Sequence, residues 1–214
     1  MVHRMPSLIE TVRIRNGAAP LWYLHLRRLS ASCKALGVPL PGDLPTPSGG
    51  PDRVHRLEVG PSGLAVTERP VGGAAPVTLI AARAVHRPYP HKTTDRAQFD
   101  RALEEARAAG ADDAVLVNEG GYVAECAIWG LFWWEDGRIC APPLNLGILP
   151  GVARARIGEA AGEIVERRVG VDQVVGRSLF VANAVRGVVP VVSFAGRPVP
   201  QDPGTSRLSA SFWS

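Results

Sequence analysis

The chain of 214 residues is 46% hydrophobic and 21% charged, enough apolar material for the core of one large domain or two small ones. No apolar run approaches the roughly 18–20 residues of a membrane-spanning helix, and the start, Met1 to Pro6, lacks the apolar stretch of a signal peptide, so a cytoplasmic location with no membrane partner is expected. The net charge of +4 is carried by basic residues interleaved with acids, which argues against a nucleic-acid partner.

Residues Leu8 to Arg15 alternate in the manner of a half-buried strand, and Asn16-Gly17 supplies a tight turn. From Leu21 to Leu36 the apolar positions Leu21, Leu24, Leu29, Cys33 and Leu36 recur at helical spacing, and Gly37 ends the segment. The Pro- and Gly-rich stretch from about residue 39 to 52 reads as an inter-domain linker or a surface loop. Strand-like runs at Val54 to Val59, Gly63 to Arg69 and Val77 to Arg83 suggest one small antiparallel sheet. Thr94 to Ala109 has helical spacing, which places Lys92 just before a helix. Ala114 to Asn118, Tyr122 to Cys126, Leu131 to Trp134 and Arg138 to Ala141 read as a second antiparallel sheet. Gly151 to Arg167 looks helical, and Ser178 to Pro200 returns to strands and turns. The fold class is α+β, with a small N-terminal domain over 1–88 and a larger, sheet-rich one over 89–214.

Of the 24 basic residues only Lys34 and Lys92 are lysine, so chemistry that needs a side-chain primary amine has two candidates. Lys92 lies in the phrase RPYPHKTTDR, where it is either a catalytic amine or a solvated loop lysine. The segment from Gly147 to Arg154 brings a glycine turn to a helix start, either an anion cup or an ordinary helix entry. Glu125 lies among Val123, Ala124, Cys126 and Ala127, and a carboxylate there needs a partner such as a protonated ring nitrogen or an arginine. His25 and Arg28 share one helix face, where Arg28 could hold a phosphate, or both could serve packing and surface charge. Asn183 and Gly187 interrupt a strand as a site loop or a bulge. Cys33, Cys126 and Cys140 form neither a metal pair nor an even disulfide set, so they read as buried thiols and no metal is expected.

In this order the segments resemble the fold-type IV pyridoxal-phosphate (PLP) enzymes, which include branched-chain and D-amino acid aminotransferases and 4-amino-4-deoxychorismate lyase. The phrases that carry the resemblance are Ile9-Glu10-Thr11, the H-x-x-R-L of His25 to Leu29, Lys92, Gly121 to Glu125, the G-I-L-x-G-x-x-R of Gly147 to Arg154, and Asn183 to Val191. They cover nearly the whole chain. The resemblance implies that Lys92 forms the Schiff base with PLP and acts as acid and base, that Glu125 faces the pyridine nitrogen, and that Arg28 with the backbone of Val152 and Ala153 grips the phosphate. Asn183-Ala184 looks like the lyase, because transaminases commonly carry a threonine at the position of Ala184. The expected reaction converts 4-amino-4-deoxychorismate to 4-aminobenzoate and pyruvate for folate synthesis. The alternatives are an aminotransferase on the same scaffold and a catalytically degenerate homologue serving as a binding partner. The pattern departs at the front, which is shorter than in family members, at Gly130, where an asparagine is common, and at the reduced Gly60 to Gly63 loop. A small-molecule substrate and a homodimer are the implied partners.

Overall fold

The computed structural model describes residues 6–61, 63–73 and 75–214; Met1 to Met5, and Ser62 of the Gly60 to Gly63 loop, lie outside them. The chain divides into two compact units, one of Met1–Gly73 with His91–Arg96 and the other of Ala74–Pro90 with Ala97–Ser214.

In the first unit, β1 (Leu8–Ile14), β2 (Arg53–Gly60) and β3 (Gly63–Pro70) form an antiparallel sheet in the order β1-β2-β3, and α1 (Trp22–Leu36) packs on it. Side chains of a strand alternate between faces, so Leu8, Glu10 and Val12 share one face. Leu8 packs with Leu29 and Cys33 of the helix and Val12 with Trp22, which puts α1 over that face. The helix ends where Gly37 takes the left-handed conformation and returns its N–H to Cys33. The Pro- and Gly-rich stretch joins α1 to β2 inside this unit, so it is a loop and not a linker.

The second unit is built on a nine-stranded mixed sheet. Its strands are β4 (Val77–His86), β5 (Asp113–Asn118), β6 (Val123–Cys126), β7 (Gly130–Glu135), β8 (Arg138–Ala141), β9 (Val165–Glu166), β10 (Ser178–Asn183), β11 (Gly187–Phe194) and β12 (Arg197–Pro198). The order along the sheet is β6-β5-β4-β11-β10-β7-β8-β9, with β12 on β11. The helices are α2 (Ala97–Ala108), α3 (Val152–Ala161), α4 (Val171–Val174) and α5 (Pro203–Ser211). Val115 of β5 faces a cluster with Val123, Leu131 and Trp133, while its neighbours Ala114 and Leu116 pack against Phe99, Ala102 and Ala106 of α2. Burial on both faces explains the unbroken apolar run of β5.

Several expectations are corrected. The strand beginning at Val77 does not join the first sheet; it pairs in parallel with β5 and β11, because both its faces are apolar and need cover. The second sheet is accordingly mixed rather than antiparallel. The helix foreseen from Gly151 to Arg167 stops at Ala161, after which Val165 and Glu166 pair in parallel with β8. Helix α2 begins at Ala97 rather than Thr94, so a short stretch separates Lys92 from it. The first unit runs to Gly73, and His91–Arg96 returns to it through an isolated bridge between Leu8 and Thr93. Cys33, Cys126 and Cys140 are buried free thiols. Among the described residues no helix is long and apolar enough to cross a membrane.

Candidate active site

In the first unit the position of Lys92 is set by backbone pairing. Its carbonyl accepts the N–H of Ile9 at 2.7 Å, the N–H of Thr94 donates to Ser7 O at 2.9 Å, and the N–H of Ser7 donates to Thr94 Oγ1 at 3.0 Å. This short stretch lines the edge of β1 that β2 leaves open. A strand edge fixes the lysine main chain more firmly than the loop expected from the sequence would.

Beneath α1 the carboxylate of Glu10 gathers two helix side chains. Arg28 donates through Nε to Oε1 at 2.9 Å and through Nη2 to Oε2 at 2.6 Å, and His25 Nδ1 meets Oε2 at 2.6 Å. Glu10 and His25 are buried, with side-chain exposures of 2% and 1%. Burial raises the Glu10 carboxyl, but the charge of Arg28, followed by the hydrogen bond from His25, outweighs it and holds the group at about 2 against an ordinary 4.5. Burial pushes His25 down; Glu10 pulls it part of the way back, and the charges of Arg28 and Lys92 add to the lowering. His25 is therefore neutral at pH 7, its Nδ1–H donates to Glu10, and its buried Nε2 has no partner among the described residues. Arg28 Nη1 donates to no described residue, which leaves one face of the guanidinium open to an anion.

In the second unit Glu125, on β6, is 8% exposed. Its Oε1 meets His86 Nε2 at 3.0 Å and accepts the N–H of Leu149 at 3.2 Å, while Oε2 accepts no hydrogen bond among the described residues. The side-chain partner is thus a histidine, where the sequence left a ring nitrogen or an arginine open. Leu149 belongs to the Gly147 to Arg154 phrase, so that phrase and Glu125 come together. Two residues on, α3 opens after Gly151 without a side-chain cap, and the N–H groups of Val152, Ala153 and Arg154 have no partner among the described residues. A helix start with free N–H groups suits an anion. The Arg154 side chain takes no part there, since it donates to Pro142 O and to Glu166. Asn183 ends β10, and its Oδ1 caps the hairpin by accepting the N–H groups of Val185 and Arg186; Ala184 sits in that turn, so the strand interruption is a hairpin and not a bulge.

The structure therefore groups Arg28 and Lys92 in the first unit and Glu125, Val152 and Ala153 in the second, with Asn183 and Ala184 on a hairpin of the second. Sequence reasoning gave His86 no role. Its only signal was a histidine just beyond the strand-like run Val77 to Arg83. Buried Asp113 also escaped notice: its carboxylate accepts the N–H groups of Ala114, Ala127 and Ile128 and so fixes the turn that follows Glu125.

Residues 65–194 match the family described as Amino-transferase class IV. The chain belongs to this family. Class IV aminotransferases are PLP-dependent, and pyridoxal 5′-phosphate is the cofactor that goes with the fold. The matched region holds Lys92, Glu125, Val152, Ala153, Asn183 and Ala184 and leaves out Arg28. A branched-chain-amino-acid aminotransferase of Pseudomonas aeruginosa is 31% identical over 120 residues, which are 52% of this chain, and the chain spans only 39% of that relative's length. Among solved structures, a candidate amino-acid aminotransferase from Mesorhizobium loti superposes with a TM-score of 0.78 at 27% identity, over 88% of this chain and all of that one. A candidate 4-amino-4-deoxychorismate lyase from Legionella pneumophila gives 0.82 at 23% identity, covering 94% of this chain and 88% of its own, and bears on the fold alone.

The side chains present suit the cofactor of this class IV aminotransferase family. Glu125 offers an open oxygen for a protonated ring nitrogen, and the start of α3 offers unpaired donors for a phosphate. These second-unit donors suit an aromatic cation with a phosphate tail; in the first unit, Lys92 carries an amine and Arg28 an open guanidinium edge.

Proposed function

We propose that this chain is a PLP-dependent lyase that converts 4-amino-4-deoxychorismate to 4-aminobenzoate and pyruvate. The observation that carries the cofactor side of this reading is Glu125, with Oε1 fastened by two donors and Oε2 open, beside the uncapped start of α3. PLP supplies an electron sink for the pair left when a C–H bond breaks beside the bound nitrogen. In this reading Lys92 Nζ would hold the cofactor and, once freed, would take the proton from the ring carbon that bears the amino group. The neighbouring ring C–O bond to the enolpyruvyl group would break, a proton would go to its methylene so that it leaves as pyruvate, and aromatisation of the ring would drive the step. Glu125 Oε2 accepts the ring N–H and keeps that nitrogen protonated. The N–H groups of Val152 and Ala153, with Arg28, hold the phosphate. Asn183 shapes the turn that presents Ala184, whose lack of a hydroxyl supports the lyase over a transaminase.

A second reading, an amino-acid aminotransferase, is favoured by the relatives, which are named as branched-chain aminotransferases. Purified protein is expected to take up PLP with a visible absorbance band and, given aminodeoxychorismate without any keto acid, to release pyruvate and 4-aminobenzoate. Amino transfer to 2-oxoglutarate in place of that release would select the aminotransferase, and a colourless protein that takes up no PLP would remove both readings. Lys92→Ala should abolish turnover yet leave the fold intact at less than about 1 kcal/mol, because its backbone bond to Ile9 survives the change. A homodimer is the assembly that accompanies this reading, and light scattering on the eluted protein measures it.

A further inference from the structure

We infer that His86 is a positioning residue for the cofactor: its Nε2–H fixes Glu125 through Oε1 so that Oε2 is the oxygen offered to the ring nitrogen. The inference rests on the role proposed above for Glu125. His86 closes β4 and its side chain is fully buried, with the ring edge of Phe99 6.4 Å away between centroids. Its Nε2 lies 3.0 Å from Glu125 Oε1, and its Nδ1, also buried, has no partner among the described residues.

This geometry selects one tautomer. An ionised carboxylate only accepts, so a hydrogen bond at Nε2 requires the proton there, which leaves the lone pair of Nδ1 as the unpaired atom. The opposite tautomer would bury an unpaired N–H and set two acceptors against each other at 3.0 Å. A single histidine N–H then does what a bidentate arginine in its place would not. It occupies one oxygen of the carboxylate and leaves Oε2 for a cationic N–H. With Leu149 N–H on the same oxygen, rotation of the carboxylate about its terminal bond is blocked. Both donors on one side leave the other side as the only place for the ligand.

The test uses the full chain stripped of PLP and reloaded, comparing wild type with His86→Leu, His86→Gln and Glu125→Gln. The readouts are PLP affinity, from fluorescence quenching, and the shift of ¹⁵N in the ring of labelled PLP, which reports its protonation. Loss of one hydrogen bond to a charged group predicts roughly a ten- to hundredfold weaker PLP affinity for His86→Leu and a ring-nitrogen shift towards the deprotonated value. His86→Gln, which keeps an N–H donor, should recover most of both. Wild-type affinity and shift in His86→Leu, with both altered in Glu125→Gln, would overturn the role of His86 and leave that of Glu125 standing. If Glu125→Gln is also without effect, the Glu125 reading itself fails. Equal loss in the leucine and glutamine variants would make His86 a packing residue only. Should His86→Leu not fold by circular dichroism, the tautomer of His86 in the wild-type protein decides: a proton on Nε2 supports the inference, and one on Nδ1 overturns it.

Discussion

Glu10 carries more of the first unit than its single charge suggests. It lies on the strand face that α1 covers, where an apolar side chain would be the ordinary choice, and it is tolerated because Arg28 and His25 satisfy both of its oxygens. Glu10→Gln removes the charge but keeps the shape. Arg28 is then left partly buried without its counter-charge, which should cost about 3 kcal/mol and lower the melting temperature by roughly 6–12 °C. Calorimetry on the variant checks this, and a melting temperature within a degree of wild type would assign the network no role in stability. Lys34 provides the contrast: the chain's other lysine sits in the last turn of α1, where a cation suits the carbonyl end of the helix and nothing further is asked of it.

At the scale of elements, the loop before α3 joins two parts of the candidate site. It begins at Gly147, whose φ of 77° lies in the left-handed region. A Cβ on that residue would stand 2.8 Å from Pro88 Cβ and 2.9 Å from Pro88 Cα, while Gly147 O accepts the N–H of Tyr89. Gly147→Ala therefore combines a backbone penalty with a clash against a rigid ring, and should destabilise the protein by about 2–3 kcal/mol. The loop also carries Leu149 N–H to Glu125, so PLP affinity should fall along with stability. A variant with normal PLP affinity despite a lowered melting temperature would separate the loop from the site. The β10–β11 hairpin is organised in a similar way, by Asn183 capping its own turn, which explains why a strand carries an asparagine at its end.

At the scale of the whole molecule, the buried Glu10 network makes the first unit acid-sensitive. The Glu10 carboxyl is held at about 2 in the folded protein against an ordinary 4.5, so between those values the unfolded chain binds more protons. Stability from this group, about 3 kcal/mol at neutral pH, is complete above pH 4.5 and is lost as the pH falls towards 2. His25, depressed from 6.5, is likewise kept neutral by the fold, and its share begins to go as the pH falls below 6.5. Hydrogen exchange over a descending pH series, corrected for the intrinsic rate, is expected to show β1 and α1 losing protection before β10 and β11. Loss of protection in the reverse order would show that the Glu10 network does not govern acid stability.

Local chemistry made much of this chain legible in its sequence. The Asn16-Gly17 turn, the Gly37 helix end and the strands on either side of Glu125 follow from short-range rules, since turn residues, caps and period-two alternation act within a few residues. The ordered phrases around Arg28, Lys92, Glu125 and Gly147 sufficed for the family. Pairing between distant segments was not legible. Nothing in Val77 to His86 says that it runs parallel to β5 and β11, because an apolar strand fits any sheet that covers both its faces. For the same reason the partner of Glu125 was read as an arginine or a ring nitrogen, whereas the fold supplied His86 from 39 residues away. The sequence by itself determined many of the local elements, the restriction of side-chain amines to Lys34 and Lys92, and the family pattern. Only the tertiary structure decided which side chains satisfy the buried charges, because burial leaves an ionised group dependent on whatever donors the packing brings to it.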